Sequence, residues 1–433
     1  MGKGFHKLSG GFWVEWFELS GGTPLHGSIT LQGSKNAALP LLAGAVLHRG
    51  KTTLHNVPDI RDIAVMIQIL REMGCRVHKE GRTLQIDASR ANTPCVDSFL
   101  GEQMRSSIIL MGSLLGRFKK AVLPFPGGCV IGVRPIDLHV TSMQKLGAVL
   151  SEEDGMLCAR TKGLQGARIH LHFPSVGATE NIILAAVCAE GVTELENCAR
   201  EPEIAELCRF LRGKGAKIFG IGTSCLRIEG VEALRDSTYT LMPDRIVAGT
   251  YLFAAAATRG QICLEGARPQ DMREVLHILK KMGAEFRYID ERLWIDGRNA
   301  VCPVEKVCTD TYPGFPTDLQ SQLLAALCVA EGKSIVRECI FEERFRIAPQ
   351  LNRMGARVTT DGREAVVEGC KQLVGAEVRA QELRGGAALI IAGLVARGTT
   401  RVYGRTFIER GYEDIAGDLG KLGATVSKGK TER

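Results

Sequence analysis

One short pattern recurs six times along this chain of 433 residues, at intervals of 68 to 73 residues. Each copy has the period of an amphipathic helix, ends at a glycine and runs on into alternating, β-type residues, as in "LREMGCRV" and "LNRMGARV". The glycines of the six copies are Gly74, Gly147, Gly215, Gly283, Gly355 and Gly423. Glycine at this place is typical of a helix C-terminus, because it readily adopts the left-handed conformation. The pattern predicts six outer helices, each followed by a strand.

A second pattern repeats in step with the first. Six alanine-rich segments, such as "KNAALPLLAGAVLHRG" and "LRGGAALIIAGLVARG", are apolar on all sides, which is typical of buried helices. Each repeat therefore holds a buried helix, a strand, a loop, an outer helix and further strand. One repeat cannot bury its own apolar faces, so several must pack together. Six copies divide naturally into three and three, which predicts an α/β protein of two similar domains with a cleft between them.

The boundary between the domains is expected near "YTLMPDRI". We predict one domain at 35–242 and a second made of 17–34 together with 243–433, with 1–16 as an N-terminal extension. The segment "HGSITLQGS" precedes the first buried helix, and we expect it to pair with the second half of the chain. Two domains also fit the usual size of about 100 to 200 residues per domain.

Composition narrows the possible partners. No apolar, uncharged run reaches the roughly 18 residues of a membrane span, and the first residues lack a signal-peptide pattern, so we expect a cytoplasmic protein without membrane contact. The net charge of +7 comes without a polybasic run, which favours small anionic ligands over nucleic acid. Fourteen scattered cysteines without a CxxC pair, and nine histidines without ligand spacing, predict reduced thiols and no metal site.

Polar residues stand at the start of every buried helix. Helix capping is a sufficient explanation for Ser175, Thr317 and Asp318. Capping does not explain the cations at four of these starts, because a positive charge there opposes the helix dipole. These cations are Lys35, Arg105, Arg245 and Arg384. We therefore expect the helix N-termini to meet at one cleft that binds phosphate and carboxylate groups.

The loop "PFPGGCVIGVRPIDLH" is the longest of six equivalent loops. From the start of its strand to the next terminating glycine it spans 26 residues, against 21 to 24 in the other repeats. Cys129 lies beside Gly127 and Gly128, with Arg134 nearby. A mobile loop of this kind suits a thiol with a lowered pKa that acts as acid, base or nucleophile. The alternative is a small buried side chain, and the residues alone leave both interpretations open.

Three further residues have two interpretations each. Arg344 in "FEERFR" and Arg410 in "FIERGYED" fit surface ion pairs, but the repeat register also places both loops at the cleft. Asp318 fits a helix cap, but it also fits a base for a sugar hydroxyl.

These motifs together resemble those of the UDP-N-acetylglucosamine 1-carboxyvinyltransferases. The matching phrases occur in family order over about residues 18 to 433: "GSKNAALP", "PGGCVIGVRPIDLH", "PSVGATENI", "REPEI", "PDRI", "PGFPTDLQSQ", "IFEERF" and "RGYE". The cysteine loop with its "RPIDLH" tail separates this family from the related shikimate-pathway enzyme. The resemblance implies the enolpyruvyl transferase fold, an inside-out α/β barrel with six βαβαββ repeats, three per domain.

The resemblance also implies an activity. Such enzymes transfer the enolpyruvyl group of phosphoenolpyruvate to the 3'-hydroxyl of UDP-N-acetylglucosamine and release phosphate, in the first committed step of peptidoglycan synthesis. Cys129 resembles the loop cysteine that protonates the enol carbon, forms a covalent adduct with phosphoenolpyruvate and is alkylated by fosfomycin. Lys35, Arg134 and Arg410 resemble an anion clamp. The implied catalytic residues are Cys129, Lys35, Asp318 and Arg410, with Asp318 as the candidate base.

The remaining site residues follow from the same resemblance. Asn36, Asp318 and Ile340 match positions that hold the sugar, and Arg105 matches another contact to the UDP-sugar. Two segments match the uridine pocket and the diphosphate site, namely Arg134, Pro135, Ile136, Asp137 and Leu138, and then Ser175, Val176 and Gly177. Arg344 and Arg384 would complete the cationic lining. No cofactor is implied, and a monomer is the expected state.

Three positions depart from the family pattern: Val247 replaces a usual glutamate, Glu343 a usual asparagine and Phe407 a common histidine. None has a proposed chemical role, so we expect activity. The alternatives are a divergent paralogue that binds UDP-sugars without turnover, and a shikimate-3-phosphate enolpyruvyl transferase.

Overall fold

The computed structural model describes residues 13–125 and 131–432. Its six buried helices, which we call the core helices, occur where the alanine-rich segments predict them. Every residue of the fourth is buried, because its sequence offers no polar face. The core helices are Lys35–Ala45, Leu110–Phe118, Val176–Ala186, Arg245–Thr258, Gln320–Leu327 and Leu383–Val395.

Six outer helices alternate with the core helices. They are Arg61–Glu72, Asp137–Lys145, Pro202–Gly213, Arg273–Lys281, Ala348–Arg353 and Ile415–Lys421. The six predicted terminating glycines follow them with φ between 86° and 106°, so the prediction of glycine helix ends is confirmed. The shorter helical segments are Ser98–Gln103, Arg105–Ile109, Pro269–Asp271, Thr317–Leu319, Arg344–Ile347 and Arg405–Ile408.

The strands form six small sheets, one for each repeat. In the order of the repeats, and from edge to edge, the sheets are Ser237–Thr240, Lys51–His55, Thr83–Asp87 and Arg76–Glu80; Lys120–Pro124, Met156–Arg160 and Val149–Glu153; Lys217–Phe219, Cys225–Glu229, Val192–Glu196 and Arg168–His170; Glu285–Ile289, Arg292–Asp296, Gln261–Glu265 and His26–Thr30; Lys306–Cys308, Lys333–Arg337, Glu364–Glu368 and Arg357–Asp361; and Glu377–Arg379, Thr399–Tyr403, Trp13–Ser20 and Thr425–Glu432. The four-stranded sheets each contain one parallel pair, and their other pairs are antiparallel.

Two strands are exchanged between the halves of the chain. His26–Thr30 pairs in parallel with Gln261–Glu265, which confirms that this segment pairs with the second half. Ser237–Thr240 returns the exchange by pairing with Lys51–His55. Each of these two strands thus completes a sheet in the other half of the chain.

The predicted extension at 1–16 requires a correction at its end. The strand Trp13–Ser20 lies between Thr399–Tyr403 and Thr425–Glu432, so residues 13–16 belong to the last sheet. The physical reason is the alternation in "WVEWFELS", which places Phe17 and Leu19 on the buried face, both fully inaccessible to solvent.

The buried apolar side chains form two clusters. One extends from Ala38 to Leu241, and the other joins residues 17–31 to residues 246–422. These clusters support the division at about residue 242, which stays a prediction. Within the described ranges, no helix has both the length and the apolar composition needed to cross a membrane.

The two passages of the chain between the halves run antiparallel and contact each other. Ser34 N donates to Met242 O (2.8 Å), and Asp244 N donates to Gln32 O (2.9 Å). Gly33 is required between them, because a Cβ there would lie 1.7 Å from the carbonyl oxygen of Asn56. The crossover therefore depends on close backbone packing.

The carboxylate of Asp244 caps core helices from both halves. Its Oδ1 accepts hydrogen bonds from Ile246 N (2.8 Å) and Val247 N (3.0 Å), at the start of the fourth core helix. Its Oδ2 accepts from Lys35 N (3.0 Å), at the start of the first. One side chain thus satisfies three backbone N–H groups and ties two helix N-termini together.

Asp244→Ala is therefore expected to destabilise the protein more than loss of an ordinary cap. The expected decrease in the free energy of unfolding is about 2 kcal/mol or more, because the fourth core helix loses its cap and Lys35 N, at the start of the first, loses its acceptor. Ser34→Ala is the control, since the Ser34 hydroxyl accepts only from Ala37 N (3.3 Å), and about 1 kcal/mol is expected for it. Guanidinium unfolding measures both, and equal decreases would contradict the double cap.

Candidate active site

Lys35 and Arg410 converge on one buried carboxylate. Lys35 Nζ lies 2.6 Å from Asp62 Oδ2. Arg410 Nε and Nη2 donate to Asp62 Oδ1 (2.8 Å) and Oδ2 (3.2 Å). Burial opposes the charge on Asp62, but Lys35 and Arg410 outweigh it and hold the pKa of that carboxyl below its ordinary value. Burial also lowers the pKa of Lys35, although Asp62 opposes that shift.

The loop that carries Arg410 is held by residues of the first half and by Gln32. Gln32 Nε2 donates to Gly411 O (3.0 Å), and its Oε1 accepts from Glu413 N (2.8 Å). Glu413 forms its ion pair with Arg82 (2.5 Å). The interpretation of "FIERGYED" as a surface turn with Arg410 paired to its own neighbours is therefore wrong, because Arg410 reaches Asp62 instead.

Asp318 is held between two buried arginines. Its Oδ1 accepts from Arg344 Nη2 (2.8 Å) and its Oδ2 from Arg384 Nη2 (3.0 Å). Burial opposes the charge on Asp318, yet these two guanidinium groups hold the pKa of its carboxyl far below the ordinary range. The capping explanation is wrong for Thr317 and Asp318, because no side chain caps this helix start.

The two charged groups lie close enough to act on each other. Arg384 contributes to the lowered pKa of Lys35, and Lys35 contributes to the lowered pKa of Asp318. Arg344 and Arg384 are almost completely buried. Asn36 is the second residue of the first core helix, directly beside Lys35.

Phe341 connects this charged group to the "RPIDL" segment. The guanidinium of Arg134 lies 5.2 Å from the centre of the Phe341 ring, and that of Arg344 lies 5.3 Å from it. Glu343 N donates to Ile131 O (3.0 Å), so the segment after the cysteine loop contacts the second half of the chain. Cys129 itself lies outside the described residues, and its role stays a prediction.

A third group of predicted residues surrounds the start of the third core helix. The Ser175 hydroxyl accepts from Ala178 N (3.4 Å), so the capping prediction is confirmed for Ser175. Arg105 donates a hydrogen bond to the carbonyl oxygen of Arg134. Asp137 begins the outer helix that follows Pro135 and Ile136, and it carries Leu138 as its second residue. His139, which directly follows Leu138, lies against Gly177, so the predicted uridine and diphosphate segments lie near each other.

His139 belongs to this third group, and its tautomer follows from its partners. Asn181 Oδ1 accepts from Gly112 N (2.8 Å), which fixes Asn181 Nδ2 as the donor to His139 Nδ1 (2.7 Å). The proton of the neutral ring therefore lies on Nε2, on the side of Gly177, where a Cβ would approach Nε2 to 3.3 Å. Burial, and then the charge of Arg105, lower the pKa of His139 to about 4, so the ring is neutral at pH 7.

Arg245, like Lys35 and Arg384, has a carboxylate partner, and that partner lies on an outer helix. It pairs with the buried Glu203 (3.0 Å) and lies over the ring of Tyr312 (5.6 Å). An internal carboxylate therefore compensates Arg245.

Sequence reasoning missed Asp62, His139 and Phe341 as site residues. Asp62 is the last residue of the repeat loop "VPDIRD", and Phe341 is the first residue of the repeat loop "FEERFR". Comparison of the repeats could therefore have identified both. His139 ends "RPIDLH" and follows the predicted uridine pocket directly. Among the described residues, no group of three or more His, Cys, Asp or Glu side chains could hold a metal ion.

Asp318→Asn is expected to lower the free energy of unfolding at pH 7 by about 3 kcal/mol, the lower end for a broken buried pair, because 27% of the Asp318 side chain is exposed. The pKa of Asp318 is lower in the folded than in the unfolded state. The contribution of Asp318 to the free energy of unfolding is therefore fully present above its pKa in the unfolded state, about 4, and declines as the pH falls below that value. Urea unfolding at pH 7 and pH 3.5 should show a smaller wild-type advantage at the lower pH. An advantage that does not change with pH would contradict the ionised pair.

The family model of EPSP synthase (3-phosphoshikimate 1-carboxyvinyltransferase) matches residues 19–419. Two curated relatives are named UDP-N-acetylglucosamine 1-carboxyvinyltransferase. The one numbered 2 from Caldanaerobacter subterraneus subsp. tengcongensis is 46% identical over 95% of this chain and 98% of its own length. The one numbered 1 from Symbiobacterium thermophilum is 45% identical over 96% of this chain and 95% of its own length.

Two solved structures share the fold. The enolpyruvyl transferase NikO from Streptomyces tendae has a TM-score of 0.87 at 24% identity and covers 96% of this chain and 99% of its own. EPSP synthase from Acinetobacter baumannii has a TM-score of 0.73 at 20% identity, covering 96% and 100%. These likenesses confirm the predicted enolpyruvyl transferase fold. Together with the full-length similarity to the curated relatives, they show that the chain belongs to the UDP-N-acetylglucosamine 1-carboxyvinyltransferases, within the EPSP synthase family.

Proposed function

We propose that this protein transfers the enolpyruvyl group of phosphoenolpyruvate to the 3'-hydroxyl of UDP-N-acetylglucosamine and releases inorganic phosphate. The observation that carries the proposal is a series of charged groups from Arg105 to Arg410, in which the ring of Phe341 connects Arg134 to Arg344. A nucleotide sugar and a small phosphorylated acid together require such a series. The names of the curated relatives support this substrate pair.

The nucleotide occupies the end of the series formed by the first half. Uridine lies against residues 134–138, and the diphosphate lies at the N-terminus of the third core helix, where the first backbone N–H groups of a helix have no partner within it. Arg105 adds a positive charge there. The Nε2–H of His139 adds a neutral donor.

The sugar and phosphoenolpyruvate occupy the other end. Asn36, Ile340 and Asp318 hold the sugar. Lys35, Arg134 and Arg410 bind the phosphate and carboxylate of phosphoenolpyruvate, and Arg344 and Arg384 complete the lining. Because Asp62 already binds Lys35 and Arg410, their positions are set before the substrate arrives, which reduces the cost of ordering them.

The reaction proceeds by addition and elimination. A proton from Cys129 goes to the methylene carbon of phosphoenolpyruvate while the sugar oxygen bonds to its second carbon, and Asp318 accepts the hydroxyl proton. The Cys129 thiolate then takes back a methyl proton, the double bond re-forms, and phosphate leaves with the electron pair of its bond to carbon. Asp318 releases the hydroxyl proton to the departing phosphate. Asp318 is a weak base while both arginines hold it, so we propose that substrate anions draw Arg344 and Arg384 away and raise its basicity.

The finer assignments are proposals as well. The cysteine loop closes over phosphoenolpyruvate as a lid, the thiol forms a covalent adduct, and fosfomycin alkylates it. The product enters peptidoglycan synthesis in the cytoplasm, and the protein acts as a monomer of two domains.

A phosphate-release assay with two acceptors tests the function. Release is expected with UDP-N-acetylglucosamine and phosphoenolpyruvate, and none above background with shikimate-3-phosphate, because Arg105 and the diphosphate site have no partner on that acceptor. Release with shikimate-3-phosphate alone would favour the rival enzyme. Binding of UDP-N-acetylglucosamine without any release would favour the silent paralogue.

Cys129→Ser is expected to reduce turnover by at least about a hundredfold, because a hydroxyl is a much poorer proton donor than the thiol. Calorimetric binding of UDP-N-acetylglucosamine should change little. Cys129→Asp is the matched control, since a carboxyl group can still deliver a proton but cannot be alkylated as a thiol. Wild-type turnover in Cys129→Ser would contradict the proposed role, as would a wild-type protein that gains no mass adduct from fosfomycin.

A further inference from the structure

Glu338 is a fully buried carboxylate that follows the strand Lys333–Arg337. No cation in the described part of the chain forms an ion pair with it. Instead it accepts four hydrogen bonds. Its Oε1 accepts from Thr309 Oγ1 (2.8 Å), Ile340 N (2.9 Å) and Phe341 N (3.1 Å), and its Oε2 accepts from Thr317 Oγ1 (3.0 Å). A buried charge of this kind is costly, so its retention needs a reason.

Two other repeats show that linking the central strand to its parallel neighbour does not require a carboxylate. Asn56 and Asn197 also directly follow the central strands of their sheets. Each donates through Nδ2 to the residue after the neighbouring parallel strand, at Leu241 O (3.1 Å) and Leu171 O (2.7 Å). Thr309 is the equivalent residue beside Glu338, since it follows Lys306–Cys308. A neutral amide performs this task in the first and third repeats, and the fifth repeat has a carboxylate there.

A carboxylate does two things here that an amide side chain cannot do together. Its Oε1 accepts from two successive backbone N–H groups, those of Ile340 and Phe341, so it sets the path of the loop that carries them. A glutamine side chain would offer only one oxygen as acceptor. Its NH2 group would then face a group that donates to the carboxylate, such as the Thr317 hydroxyl. Phe341 lies between Arg134 and Arg344, so the loop path also sets that contact.

The other oxygen acts on Asp318 through a chain of hydrogen bonds. Because the Thr317 hydroxyl donates to Glu338, its lone pairs remain available to Arg344 Nε (3.2 Å). Arg344 in turn donates to Asp318 Oδ1 (2.8 Å). One carboxylate is thereby connected to Ile340, Phe341 and the pair of Arg344 with Asp318.

We propose that Glu338 is a positioning residue that fixes the acceptor-sugar subsite without touching either substrate. This inference rests on the proposed function and adds a specific consequence. Loss of the carboxylate should affect the nucleotide sugar more than phosphoenolpyruvate. Among the described residues, Lys35, Asp62 and Arg410 have no hydrogen bond to this network, and Arg134, the third proposed ligand of phosphoenolpyruvate, contacts it only through the ring of Phe341.

Steady-state kinetics of Glu338→Gln tests the proposal. The KM for UDP-N-acetylglucosamine should rise about tenfold, which is the size of effect expected when hydrogen bonds to a charged group are lost. The KM for phosphoenolpyruvate should stay within about twofold of the wild-type value. Asn352→Ala is the control for general destabilisation in the same repeat, since it removes two hydrogen bonds to Val358 (2.8 and 2.9 Å) that are not part of the chain from Glu338 to Asp318. Asn352→Ala should leave both KM values unchanged.

A second pair of variants keeps the test decisive if Glu338→Gln does not fold. Thr317→Val removes the hydroxyl between Glu338 and Arg344 and should raise the KM for the nucleotide sugar selectively, and Thr317→Ser should restore it. Equal changes in both KM values, or no rescue by Thr317→Ser, would overturn the proposal. The proposed function would still stand in that case, because the wild-type protein turns over. Absence of turnover in the wild type would overturn the function first, and this inference with it.

Discussion

The site depends on the antiparallel contact between the two chain crossovers, with the Asp244 carboxylate at its centre. Strands exchanged on either side of this contact tie each half to the other, and Asp244 holds the N-termini of the first and fourth core helices at one place. Since Lys35 is the first residue of its helix, the same bond that caps the helix also positions a proposed substrate ligand. Fold and site are therefore built on one interaction.

Charge balance is the second constraint. Placing Lys35, Arg344, Arg384 and Arg410 together would be strongly unfavourable without counter-charges. Asp62 and Asp318 each bind two of these cations, which leaves a cleft that is ordered and still basic. The low pKa of Asp318 is a direct consequence. In the proposed mechanism, Asp318 gains basicity when substrate anions bind its two arginines. Binding and basicity are then coupled, which favours proton removal only in the filled site.

The repeats allowed most of the fold to be predicted, because helix period, strand alternation and terminating glycines are local signals. The cations at helix starts correctly indicated that Lys35 and Arg384 lie close to each other. Partners across the cleft were not predictable in the same way. Asp62 reaches Arg410 over 348 positions of sequence, and no local pattern encodes that pairing. Arg245 had the same local signal as Lys35, but its carboxylate partner is Glu203, whereas that of Lys35 is Asp62. For Cys129 the sequence and the family resemblance remain the basis of the assignment.

The central claim is that both halves of the chain hold one nucleotide sugar along a single series of groups. A crystal structure of the protein with UDP-N-acetylglucosamine tests it most directly. We predict the uracil ring against residues 134–138, the diphosphate at the N-terminus of the third core helix, and the sugar hydroxyls beside Asp318 and the backbone of Ile340. A nucleotide sugar that contacts only one half of the chain, or lies away from Asp318, would contradict the account.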